Sequence, residues 1–219
     1  MNSDSKHTIT EGIVRDRLLS IYRPSKEMVA FNIGAIGNHK HEVDFIRVLK
    51  SGYVEEYEIK ISRADIRAEI KKKTRKHDEL IAGVERHVGW YQGLSRRFHT
   101  WYAVDDPNLV GPVYDLAHST MSRISIVARY RHPIRRYIVA VPLESGIADF
   151  AVEMFPPWVG IVELSARNTR GLASLRIVRE PTVLSVSRKL IDAEIAHIHR
   201  AMGFKFWNLY FKYGSAGRK

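Results

Sequence analysis

The sequence predicts an α/β fold with a central mixed sheet, and two observations carry that expectation. Val43 to Ile66, VDFIRVLKSGYVEEYEIKISRADI, crowds β-branched and aromatic residues on both sides of Ser51-Gly52, the pattern of an antiparallel hairpin that runs on into a helix. Farther along, the apolar runs YIVAV (137–141) and WVGIVEL (158–164) bracket GIADFAVEMF, which is helical in character and is stopped by Pro156-Pro157. A strand, a helix and a second strand of this kind make a right-handed crossover whose parallel strands are buried on both faces.

Taken in order, Met1 to His7 is polar and expected to fray. Thr8 is placed to cap a helix reaching about Tyr22, with Ile9, Val14, Leu18 and Ile21 as its apolar stripe. Glu11 stands three residues after Thr8, the spacing of a capping box, and Pro24 closes the element. Glu27 to Ile33 reads as a short strand. Gly34 and Gly37 then mark a loop leading to His39, Lys40, His41 and Glu42, of which His41 and Glu42 are candidates to touch a metal or a phosphate.

The hairpin itself sets up chemistry. If Lys50, Ser51 and Gly52 form a three-residue loop with Gly52 left-handed, Leu49 faces Tyr53 and, counting back, Asp44 faces Glu58. Opposed residues share a face with Cβ atoms roughly 5 Å apart. Alternation sends Glu56, Glu58 and Lys60 one way and Tyr57, Ile59 and Ile61 the other. Two carboxylates at that separation repel unless a cation lies between them, and hard oxygen donors suit Mg²⁺ or Mn²⁺. An ammonium two residues along can position or deprotonate a water and balance phosphoryl charge. A two-residue loop would put Asp44 and Glu58 on opposite faces, because a slip of one residue flips every side chain.

After Lys60, Ser62 is a helix cap with Asp65 as a box-like acidic partner. Between Lys60 and Lys76 there are eight Lys or Arg residues against Asp65 and Glu69. Lys71, Lys72, Lys73 and Arg75 are the phosphate-binding candidates of that run, of the kind that positions a duplex without reading its sequence. From His87 to Trp101 aromatics interleave with Arg96, Arg97 and His99, a mixture that stacks unpaired bases in some proteins and packs a helix edge or strand in others. Asp105 to Gly111 is a loop, and Met121 to Arg136, with five arginines and no acid, is a second DNA-facing candidate. Arg167 to Gly171 reads as a turn and Leu175 to Val178 as an edge strand. Ile191, Ile195, Ile198 and Met202 then mark an amphipathic helix for the core or a second subunit. Gly203 is placed to end it before Phe204, Trp207 and Phe211, which are suited to seal the sheet or a homodimer seam. GSAGRK forms a basic tail.

Composition sets the limits. The 219 residues suit one α/β domain, and 35 Lys plus Arg against 24 Asp plus Glu give a formal net charge of +11 that favours a polyanionic partner. The absence of cysteine excludes disulfides, thiol catalysis and cysteine-ligated zinc. The polar N-terminus and the lack of an apolar run of about 18 residues point to a cytoplasmic protein with no membrane partner.

The run HEVDFIRVLKSGYVEEYEIKISRADIRAEIKKK resembles the PD-(D/E)XK nuclease superfamily, the restriction-endonuclease-like fold. Within it the run is similar to the MmcB-like DNA repair nucleases of bacteria and phages, in which an acid, a GY turn, an E-I-K strand, an S-x-x-D helix start and a lysine run follow in this order. The likeness is good from Asn32 to Lys73 and fainter at Arg136 to Pro142, Gly160 to Leu164 and Ile177 to Leu184. It implies a three-layer core with a central mixed sheet flanked by helices. On its terms the single domain has a core at about 8–184, an insertion at about 77–135 and an extra C-terminal helix at 185–213. It further implies Asp44 as metal-binding aspartate, Glu58 as second acid and Lys60 as catalytic lysine, with Val43 where the family name has proline. The superfamily often adds an acid from its first helix, here Glu11, beside its capping spacing. The activity implied is Mg²⁺-dependent hydrolysis of DNA, with Asp44, Glu58 and the Ile59 carbonyl holding the metal, in repair or phage DNA metabolism. A DNA-binding protein that kept the fold and lost turnover is the rival, and an RNA-cutting enzyme a third reading.

Overall fold

The computed structural model describes residues 9–24, 27–34, 36, 41–72, 74–91, 124–166 and 173–214, without the side chains of 85–91, 124–128, 204 and 206–214. The elements follow as α1 (Glu11–Ile21), β1 (Met28–Ile33), β2 (Val43–Val48), β3 (Val54–Ile59), α2 (Arg63–Lys72) and α3 (Thr74–Ala82). Next come β4 (Val84–Tyr91), β5 (Ile124–Tyr130), β6 (Ile134–Pro142), α4 (Ala148–Met154), β7 (Gly160–Leu164), β8 (Leu175–Arg179) and α5 (Asp192–Gly214). Among the described residues no helix is long and apolar enough to cross a membrane.

Six strands form one mixed sheet in the order β1-β2-β3-β6-β7-β8. The β1-β2-β3 meander is antiparallel, β6 runs parallel to both β3 and β7, and β8 closes the edge antiparallel. The crossover expected from 137–164 is thus β6-α4-β7, and it pairs in parallel as its apolar runs require. β4 and β5 stand apart as a two-stranded sheet.

Helices cover both faces. α1 lays Val14 and Leu18 on Phe45, Tyr57, Ile59, Ala140 and Val162. On the other face Ile66 of α2, Leu80 of α3 and Ala148 and Ala151 of α4 pack with Tyr137, Val139, Val141 and Ile161. α5 joins that second layer through Ile198 and Met202 over Ala30, Ile33 and Ile46. The result is the expected three-layer α/β core with a central mixed sheet and a C-terminal helix. Because both faces are covered, all six residues of β3 are buried, charged ones included.

Three expectations are corrected. Helix α1 is capped by Thr10, whose Oγ1 accepts the Ile13 N–H at 3.4 Å, so Glu11 is the first helical residue and not the distal member of a Thr8 box. Both ends of the stretch expected as an insertion at about 77–135 belong to the core, because α3 supplies His77 and Leu80 through Ala82, and Ile134 is already part of β6. Gly203 does not end the last helix, which runs on to Gly214 while Lys205 reaches the carbonyls of Phe31 and Asn32. The turn expected at Arg167–Gly171, the GSAGRK tail past Gly214, and the side chains of Phe204, Trp207 and Phe211 lie outside the described residues.

Candidate active site

The hairpin turn takes the expected form. Leu49 N–H donates to the Tyr53 carbonyl at 2.8 Å, Gly52 N–H donates to the Leu49 carbonyl at 2.8 Å, and Gly52 has φ +83°. A left-handed residue at that position is what a three-residue loop needs, and glycine adopts it without a Cβ penalty. The register follows as Val48↔Val54, Arg47↔Glu55, Ile46↔Glu56 and Phe45↔Tyr57, so the next step sets Asp44 opposite Glu58 on the face carrying Glu56.

The ladder ends at that step. An ordinary antiparallel pair would give the Ile59 N–H to a backbone carbonyl of β2; instead it donates to Asp44 Oδ2 at 2.8 Å. The N–H and carbonyl of one strand residue face the same neighbour, so the Ile59 carbonyl is directed to the same side as the Asp44 carboxylate. Lys60 N–H turns the other way, to the Ala140 carbonyl at 3.0 Å.

Glu58, 1% exposed, is gripped from two sides: Lys60 Nζ lies 2.8 Å from Oε1 and Lys76 Nζ 2.8 Å from Oε2. Lys60 also reaches Glu69 of α2 at 3.2 Å, and Lys76 reaches Glu56 at 2.5 Å. The Tyr137 hydroxyl donates to Glu69 at 3.2 Å, its ring lies 5.0 Å from Lys76 Nζ, and His77 stacks edge-on against it. Ser62 Oγ caps α2 by accepting the Asp65 N–H at 3.1 Å, which aims the helix so that Glu69 hangs over the strand.

These neighbours fix charge states. Burial pulls Lys60 downward, but Glu58, Glu69 and the nearby Asp44 outweigh it and hold the ammonium above the ordinary lysine range. Lys76 behaves the same way, with burial opposed by Glu56 and Glu58. Burial, then Glu58 and Glu69, push the Tyr137 hydroxyl well up, so it stays a proton donor.

Asp44, Glu58 and Lys60 are therefore brought together. Glu11 is not: it is exposed at the start of α1, whose Val14 and Leu18 pack on the opposite face of the sheet. His41 pairs with Glu79 of α3 at 3.6 Å, and Glu42 is exposed. Lys71 and Lys72 are exposed in the last turn of α2; Arg75 is exposed and holds Glu79 at 3.1 Å. Lys73, Arg96 and Arg97 lie outside the described residues, as do His39 and Lys40.

Part of the arginine stretch 121–136 serves packing. Arg136 holds Glu55 at 2.9 Å, Arg135 sits 4.4 Å over the Tyr53 ring, and Arg131 donates to the Ser185 carbonyl at 3.3 Å. Sequence reasoning missed Lys76, Glu69 and Tyr137 as members of the centre. Ile66, Glu69, Lys76 and Leu80 are spaced by three, seven and four residues, a helical stripe that could have marked Glu69 and Lys76 as inward-facing.

The donor set suits a hard divalent ion in kind and in charge. Asp44, Glu56, Glu58 and Glu69 are four carboxylates facing two ammoniums, which leaves two formal negative charges in a largely buried place. Among the described residues, however, no three His, Asp or Glu side chains are already gathered as a metal-ligating group, and both Glu58 oxygens are taken by lysines.

No family model and no curated protein matches the chain. A solved protein of unknown function from Silicibacter pomeroyi is similar over 97% of each chain at 15% identity, with a TM-score of 0.48.

Proposed function

We propose that the chain is a metal-dependent nuclease acting on DNA, of the PD-(D/E)XK kind. The observation that carries this reading is the convergence of Asp44, Glu58 and Lys60 on one sheet face, at the point where the β2–β3 ladder gives way to a side-chain acceptor. The +11 charge supports a polyanionic substrate.

Asp44, Glu58 and the Ile59 carbonyl are the oxygens that would hold Mg²⁺ or Mn²⁺, which when bound supplies polarisation of the phosphate and a more acidic water. Lys60 is kept as an ammonium by its carboxylate neighbours, so its part is to orient a water and to offset charge on the phosphoryl oxygens by donating hydrogen bonds. That narrows the sequence-based alternatives, because a lysine held above its ordinary range is a poor general base at neutral pH. Glu69 of α2 steadies Lys60 from the helix layer, and the Tyr137 hydroxyl of β6 in turn holds Glu69. Lys71 and Lys72 extend the positive surface from the same helix as Glu69 and are the phosphate contacts.

The rival is a DNA-binding protein without turnover, favoured by the ion pairs that close Glu58. The two part in one assay, with purified protein on single-stranded, double-stranded and branched DNA and on RNA, in Mg²⁺, Mn²⁺ or EDTA. Metal-dependent cutting lost in Asp44→Asn and Lys60→Met supports the enzyme. Salt-sensitive binding with no cutting in any metal supports the rival, and a preference for RNA corrects the substrate.

A further inference from the structure

Four charged groups alternate in sign along one face of β3: Glu56, then the Lys76 ammonium reaching down from α3, then Glu58, then Lys60. Glu56 and Glu58 are two residues apart on one strand, so their carboxylates stand roughly 7 Å apart at the backbone and lean on a shared counter-charge. That counter-charge is Lys76 Nζ, 2.5 Å from one and 2.8 Å from the other, on a residue only 2% exposed. Two-metal phosphoryl-transfer sites hold a second divalent cation about 3.5–4 Å from the first; here the cation that shares Glu58 is the Lys76 ammonium.

Resting on the metal-dependent reading above, we propose that Lys76 fills the place of a second divalent cation, so that the centre takes one metal ion per chain, on the Asp44 side of Glu58.

Two further features fit an ammonium better than a metal there. The Tyr137 ring lies 5.0 Å from Nζ and turns toward it a π face that attracts an organic cation, while its hydroxyl is engaged as a donor to Glu69 at 3.2 Å and Glu58 Oε2 at 3.5 Å. Glu56 is fully buried, and its Oε2 has no hydrogen-bond partner among the described residues, so the carboxylate relies on Lys76 for compensation. An ammonium adds one charge where a metal adds two, and with Lys76 in place the four carboxylates lack the charge of one divalent ion.

The experiment counts Mn²⁺ bound per chain by electron paramagnetic resonance of the free ion, on the full-length protein without DNA. Wild type is expected to take one ion. Lys76→Met, which keeps the apolar stem and removes the charge, is expected to take two and to gain more in Tm from Mn²⁺ than wild type does. Glu56→Gln/Lys76→Met removes both members of the buried pair and is expected to return to one. Two ions on wild type overturn the inference, as does an unchanged count of one on a folded Lys76→Met. If Lys76→Met does not fold, the wild-type and double-variant counts decide, and a count of two on either overturns it. No Mn²⁺ on wild type removes the metal-dependent reading itself, and the inference with it.

Discussion

Asp44 Oδ2 accepts the backbone N–H of Ile59 at 2.8 Å, one step beyond Phe45↔Tyr57, the last paired residues of β2 and β3. The aspartate therefore does structural work as well as offering an oxygen to a metal, and the two roles separate by substitution. Asn retains an acceptor for the N–H but loses the charge, so Asp44→Asn keeps the wild-type Tm while cutting falls by a factor on the order of 100 or more. Asp44→Ala loses the same activity and also strands a half-buried N–H, at about 1–2 kcal/mol. Urea denaturation beside a Mn²⁺ cleavage assay checks both, and equal stability of the two variants would remove the structural role.

Glu58 is the hub of the buried charges, since Lys60 and Lys76 both depend on it. Glu58→Ala leaves two desolvated ammoniums with Glu56 and Glu69 as their remaining carboxylates, and a loss of about 3–5 kcal/mol is expected. Lys60→Met is milder, because Glu58 keeps Lys76 and Lys60 lies nearer solvent at 8% exposure. Chemical denaturation of the two variants gives the order directly, and a Lys60→Met protein less stable than Glu58→Ala reverses the assignment of the hub.

Alkaline pH acts on the same cluster. Lys60 and Lys76 are raised despite burial, by the carboxylates around them, and Tyr137 beside them, like Tyr57 on the opposite sheet face, is raised chiefly by burial. Each group then holds its proton in the folded state at a pH where the unfolded chain has lost it. The stabilisation is fully present below the unfolded values, about 10 for both residue types, and fades as pH rises toward the folded ones. Tm is expected to be level from pH 7 to about 9.5 and to fall above pH 10, and Lys76→Met is expected to flatten that fall. A calorimetric series across pH 7–11 measures it.

The hairpin was legible because its register depends on local chemistry alone: Gly52 supplies the left-handed turn and the loop length then dictates which residues oppose. The parallel pairing of β6 and β7 was legible from uninterrupted apolar runs. The start of α1 was not, because Thr8 and Thr10 are equally good caps and only the packing of Val14 and Leu18 on the sheet chooses between them. Gly203 read as a terminator by its propensity cost of about 1 kcal/mol, which the burial of Ile198 and Met202 and the reach of Lys205 to β1 outweigh. Lys76 was hidden for another reason. In a run of lysines and arginines composition cannot say which one turns inward, and what draws it in is a pair of glutamates on a strand 18 and 20 residues earlier.

The exposed lysines at the end of α2 give the prediction that isolates DNA binding from chemistry. Lys71 and Lys72 are both exposed, take no part in the ion pairs around Glu58, and stand in the last turn, where positive charge also suits the helix dipole. Lys71→Ala/Lys72→Ala should leave Tm within about 1 °C of wild type and the Mn²⁺ count unchanged, because surface charges away from a packed site contribute little to stability. If each lysine neutralises one phosphate, the slope of log K against log salt becomes shallower by about 2 on duplex DNA, and affinity falls uniformly across sequences. Binding isotherms at several salt concentrations, with a catalytically silent Asp44→Asn background to prevent cutting, read that slope. An unchanged slope moves the DNA path away from the end of α2.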